Sequence, residues 1–233
     1  MALFSHNIRQ VCTFAAVILF STSSLASIVL NGTRVIYPSD AQDVTLQVNN
    51  VGSSPVLLQS WIDNGDADAK PATIKVPFLL TPPISRLEPG KGQTLRIIYT
   101  NGTLPMDKES VFWLNVMEIP AKSVAGTDDN HLKMAFRNRI KLFYRPAGLA
   151  GYANDAAKAM TWSTQGNNVL ANNPTPYYVS FASLSVSGKK LNGTMIAPRS
   201  TLVLDLPGHA GNKIDGSFVN DYGAIIPFNA LVK

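Results

Sequence analysis

The sequence predicts an all-β protein made of two sandwich domains. Three observations point there. Apolar side chains alternate at period two in short runs along the chain. Turn-forming clusters separate those runs at close intervals. No apolar set repeats at a helical period for more than two turns.

The elements follow in order. Val44, Leu46 and Val48 share one face of a strand, and Val56 to Ile62, Thr94 to Tyr99 and Val111 to Ile119 read as further strands. Asn50 to Pro55, Asn64 to Asp68, Pro89 to Gly92 and Asn101-Gly102 supply the turns. A sustained alternation runs from His131 to Arg145. A linker with Gly148 and Gly151 falls near Pro146 to Asp155, and Asp155 to Met160 reads as a short helical turn. Strand patterning resumes at Tyr177 to Val186, Ser200 to Leu206 and Gly216 to Val232. The reading is a first domain over 27–147 and a smaller second one over 150–233. No internal repeat of solenoid length stands out.

The composition excludes several classes. Of 233 residues, 45% are hydrophobic and 15% charged, enough apolar material for packed cores. Residues 1–26 read as a secretory signal: Arg9 makes the start positive, Val11 to Phe20 is a short apolar run, and Ser24-Leu25-Ala26 fits a cleavage site. Cleavage would remove the only cysteine, Cys12, and leave an exported chain that must be stable without disulfides. No later run is long enough to span a bilayer, so no stable membrane insertion is expected. The net charge of +5 permits an anionic partner without demanding one.

Catalysis finds little support. The exported chain would hold only His131 and His209, near no nucleophile motif and without metal-binding spacing. No glycine-rich phosphate loop joins a strand to a helix. Asp128-Asp129 reads as a loop pair. No catalytic residue, metal site or cofactor is expected. Export argues against nucleic acid as the partner of Lys133, Arg137, Arg139 and Lys141. An exported adhesin or carbohydrate-binding sandwich is the competing reading, but Trp61, Trp113 and Trp162 are far apart and are expected to pack against cores. The Asn-Gly-Thr triplets at Asn31, Asn101 and Asn192 read as turns.

The run from His131 to Arg145 is long for a small sandwich. Leu132, Met134, Phe136, Asn138, Ile140, Leu142 and Tyr144 lie on one face. His131, Lys133, Ala135, Arg137, Arg139, Lys141, Phe143 and Arg145 lie on the other. Strands commonly have about 3–10 residues. One reading is a long core strand with a solvated basic face. The other is a projecting sheet edge, a hazard unless it has a partner to pair with.

Five blocks resemble the PapD-like periplasmic pilus chaperones. The most specific runs from Leu104 to Pro120, where a turn and Glu109-Ser110 lead into the strand Val111-Phe112-Trp113-Leu114-Asn115. The others are Thr81-Pro82-Pro83 with Arg86 to Gly90, Ile140 to Pro146, Asn173 to Tyr178, and Asn220 to Gly223. They occur in the family's order. The resemblance implies two immunoglobulin-like sandwiches at an angle with a cleft between them. It implies a protein that binds pilus subunits by donor-strand complementation in the periplasm and delivers them to an outer-membrane usher. By the same resemblance, Arg34 and Lys141 would hold the subunit's terminal carboxylate, and Leu132, Met134 and Phe136 would fill its groove. Glu109, Arg145 and Asp221 would form an interdomain charge network. The short stretch from Pro120 to His131 and the missing cysteine pair resemble the short-loop branch. Self-association of the free chain through the same edge is left open.

Overall fold

The computed structural model describes residues 27–100, 102–120 and 134–233. The predicted signal, Asn101, Asp128-Asp129, His131, Leu132 and Lys133 lie outside the described residues.

The first domain is a sandwich of two sheets. One has four antiparallel strands in the order β1 (Ile28–Leu30), β3 (Val44–Asn50), β7 (Gly92–Tyr99) and β5 (Phe78–Thr81). The other has five, ordered β2 (Arg34–Pro38), β9 (Phe136–Arg145), β8 (Ser110–Pro120), β4 (Val56–Asp63) and β6 (Ile84–Leu87). Period-two alternation makes each strand two-faced, and the apolar faces meet between the sheets. Leu46, Val48, Leu95 and Ile97 come from one side; Leu58, Ile62, Leu114, Val116, Leu142 and Tyr144 come from the other.

The second domain repeats the principle with its own core. β10 (Thr161–Gln165), β11 (Asn168–Asn173) and β15 (Ser200–Pro207) form one sheet. β13 (Lys189–Asn192), β12 (Val179–Val186), β16 (Lys213–Val219) and β17 (Ile225–Leu231) form the other, with β14 (Met195–Ile196) also on β12. Trp162, Phe181 and Phe228 pack edge-on or tilted at 5.1–5.7 Å between ring centroids. The expected helical turn is α1 (Ala156–Ala159), which buries Ala156 and Ala157.

Two sequence expectations change. The run from Gly216 to Val232 is not one strand but the end of β16 and all of β17. Asn220 breaks it: its Oδ1 accepts from the backbone N–H groups of Tyr222 and Ala224, and Gly223 takes a left-handed φ of 82°. Trp162 packs in a core as expected, but Trp61 and Trp113 do not. They sit half-buried on the outward face of the five-stranded sheet, because β4 pairs Trp61 with Asn115 and Asp63 with Trp113.

The long strand is open in a more limited way than projection. β8 pairs with β9 from Phe136 to Tyr144, so β9 does not overhang that neighbour. On the other side, β2 runs parallel to β9 and pairs only with Lys141 to Arg145. From Phe136 to Ile140 that side of β9 has no strand neighbour among the described residues.

Leu114 is completely buried between the sheets. Leu114→Ala is expected to cost about 2–5 kcal/mol, the range for a cavity left by a core leucine. Urea unfolding followed by a probe in the first domain measures it.

Candidate functional site

Strand β2 positions the first residue of the site. Val35 and Tyr37 point into the core, which turns Arg34 and Ile36 outward. Tyr37 fixes this register from below: its hydroxyl accepts from the Tyr99 N–H and donates to the carbonyls of Ala41 and Gln42. Pro38 ends the strand, and the ladder closes with Ser39 N–H donating to Arg145 O at 2.8 Å. The parallel pairing sets Arg34 directly beside Lys141.

Arg34 lies in a cleft shared by both domains, and Lys141 stands beside it at the cleft's edge. Arg34, Glu109, Phe143 and Arg145 line it from the first domain; Tyr178, Ser180, Val219 and Asp221 are among those lining it from the second. Arg34 Nη1 donates to Val219 O at 2.9 Å, and Lys141 Nζ donates to Ser180 Oγ at 3.0 Å. The buried Nε of Arg34 has no acceptor among the described residues. Among the described residues neither cation forms an ion pair. Burial, then the charge of Arg34, pushes Lys141 down to about 8. Burial lowers Arg34 as well, against the opposing pull of Asp221 and Glu109. Two adjacent, partly desolvated cations favour an anion, and a carboxylate suits both the planar fork of arginine and the compact charge of lysine.

Behind them lies an ionic joint between the domains. Arg145 Nε donates to Glu109 Oε1 at 2.6 Å, and its two terminal nitrogens donate to Asp221 at 2.7 and 2.8 Å. Glu109 Oε2 accepts from the Tyr178 N–H at 2.8 Å, while its own N–H donates to Pro176 O at 2.9 Å. Burial outweighs the Arg145 charge and leaves the Glu109 carboxyl above its ordinary range. Burial acts the other way on Arg145, but Asp221 and Glu109 outweigh it and hold the guanidinium more firmly protonated. The turn carrying Asp221 presses on the start of β2. A Cβ on Gly223 would lie 2.4 Å from Thr33 Oγ1.

Met134 and Phe136 continue the inward row of Leu142 and Tyr144, but beyond the end of the core. They are 49% and 40% exposed. Leu132, the third residue expected in this row, lies outside the described residues. Phe143 on the opposite face is buried, with its ring 5.8 Å from that of Tyr178. The basic face is therefore not uniformly solvated.

Two sandwiches joined by an ionic hinge, with paired cations at the end of an open strand edge, define a protein built to hold another chain. Comparison agrees. Residues 27–150 match the pili and flagellar-assembly chaperone PapD N-terminal domain, and residues 155–230 match the pili assembly chaperone PapD C-terminal domain. The chain is 47% identical over 232 residues to the probable fimbrial chaperone YadV of Escherichia coli K12, covering 93% of this chain and 94% of that one. It is 44% identical over 216 residues to the chaperone FimB/FhaD of Bordetella pertussis, covering 89% and 88%. The crystal structure of YadV superposes with a TM-score of 0.73 at 44% identity, over 88% of this chain and 99% of that one. The SafB chaperone of Salmonella enterica, solved in complex with the SafA pilin, gives 0.77 at 32% identity, over 90% and 98%. The chain belongs to the PapD-like pilus assembly chaperones. No helix among the described residues is long and apolar enough to cross a membrane.

Sequence reading missed two contributors. Ser180 was one alternating residue in an apolar run, and only the approach of the second domain makes it the lysine's partner. Asp63 closes a buried cluster with Asn115 and Arg139 that no spacing announces, because its members come from three strands.

Lys141 is protonated less readily in the fold than at its ordinary value of 10.5. Between about 8 and that value the unfolded chain binds more protons, so this group's contribution to stability rises with pH through the window and is flat below it. Lys141→Met should flatten that slope in denaturant titrations across the window. Glu109→Ala leaves Arg145 short of a buried partner, with an expected loss of about 3–5 kcal/mol. Small-angle scattering should then show a wider spread of interdomain angles.

Proposed function

We propose that this chaperone works in the periplasm, after removal of residues 1–26, and holds pilus subunits by lending them the open edge of β9. The observation that carries this reading is the paired Arg34 and Lys141 at the point where β2 takes over that edge. A subunit strand lying along Phe136 to Ile140, parallel to β9, would end against the start of β2. Its terminal carboxylate would then meet both cations. Met134 and Phe136, with Leu132 ahead of them, would enter the subunit's groove, each burying about 1.5–3 kcal/mol of apolar side chain. Glu109, Arg145 and Asp221 would fix the angle between a first domain over 27–147 and a second over 150–233.

Delivery to an outer-membrane usher completes the cycle. The protein acts by binding and not by catalysis, without cofactor or metal. The short stretch after Pro120 and the absence of a cysteine pair support the short-loop branch. The bare edge of the free protein would also pair copies with one another until a subunit occupies it.

The test is co-expression with a pilus subunit encoded beside it, followed by purification through a tag on the chaperone. The unaltered protein is expected to retain a one-to-one complex. Arg34→Ala and Lys141→Ala, each verified as folded, should each lose about 2–5 kcal/mol of binding. Equal capture by all three proteins overturns the anchor.

A further inference from the structure

The cation stripe on β9 poses a problem of register. Arg139 precedes Lys141 by two residues on the same face, and alternation gives it the same outlook. A partner strand slipped by one residue would turn every side chain to the wrong face. A strand slipped by two residues keeps its faces, so apolar alternation alone cannot reject it. Slipping forward is blocked, because β2 already occupies β9 from Lys141 onward. Slipping backward by two would carry a terminal carboxylate about 6.6 Å, from Lys141 to Arg139.

Arg139 is not available at that position. Its Nη2 donates to Asp63 Oδ1 at 2.6 Å and its Nε to Oδ2 at 3.2 Å. Its guanidinium lies 4.8 Å over the Trp113 ring. Asp63 is only 1% exposed and is held by two further donors, Asn115 Nδ2 at 2.7 Å and Gly65 N–H at 2.8 Å. Burial alone would raise its pKa, but the hydrogen bonds from Arg139 and Asn115 outweigh this and keep it ionised. The next cation back, Arg137, is exposed and donates to the Ala67 carbonyl at 2.7 Å.

We infer that Asp63 determines register: by neutralising Arg139 it leaves Arg34 and Lys141 as the docking point for a terminal carboxylate along β9. Asp63 touches no bound strand; it is a positioning residue that acts through Arg139. The inference rests on the strand-donation reading above, and the experiment separates the two.

The probe is a synthetic peptide of alternating Val and Thr that ends in a free carboxylate and carries a photo-crosslinking residue, with its C-terminal amide as control. The unaltered chaperone is expected to prefer the carboxylate by about tenfold or more. Lys141→Ala should lose that preference. Adding Asp63→Asn to Lys141→Ala should restore it, with the crosslink moved two residues toward Met134. Preference kept by Lys141→Ala alone refutes the anchor itself. Preference lost in the single variant and not regained in the double refutes the role of Asp63. A third protein, Asp63→Leu with Arg139→Met, replaces the buried pair by apolar groups, which folds commonly tolerate. It should bind as the unaltered protein does, in one register. Mixed or lost register there shows that the ion pair itself shapes the strand and overturns the inference.

Discussion

The parallel pairing of β2 with the last five residues of β9 is the constraint on which the rest depends. Parallel strands cannot be joined by a tight turn, and these two are separated by most of the first domain. That long return brings Arg34 beside Lys141, two like charges that no local sequence signal would place together. It also ends the free edge of β9 at a fixed residue. Without β2, the sheet would have a long bare margin and no terminus for a docked strand to abut.

The second domain turns that pairing into a cleft. Its β16–β17 turn brings Asp221 to Arg145 and seats Gly223 against Thr33, while Ser180 faces Lys141. The ionic joint and the cation pair share the same few strands but differ in electrostatic state. Arg145 has two carboxylates, so its charge is satisfied internally. Arg34 and Lys141 have neutral acceptors, and neither forms an ion pair among the described residues. The charged groups of this region thus divide into a cation held by one carboxylate from each domain and a neighbouring pair of cations held only by neutral acceptors.

Much of this was legible in the residues. Alternation located most long strands, and the turns between them followed from Asn, Gly and Pro clusters. Short strands such as β1, β5 and β14 carry too few residues for a period to register. The break at Asn220 was hidden because apolar residues continue on both sides of it. Arg34 and Lys141 became a pair only through a resemblance to known sequences, since nothing in either local pattern refers to the other. Trp113 looked like a core residue on composition; register placed it on the outer face, beneath Arg139.

The point where β2 meets β9 also divides the strand into parts under different structural constraints. From Lys141 to Tyr144, β9 is paired with a strand on both sides, so an insertion there would shear two ladders. Upstream, one side of the strand has no strand neighbour among the described residues. A change of side-chain size there disturbs one ladder and leaves Arg34 paired with Lys141. The beginning of β9 is therefore the part of the strand that can be rewritten most freely, while the meeting point of Arg34 and Lys141 stays where topology puts it.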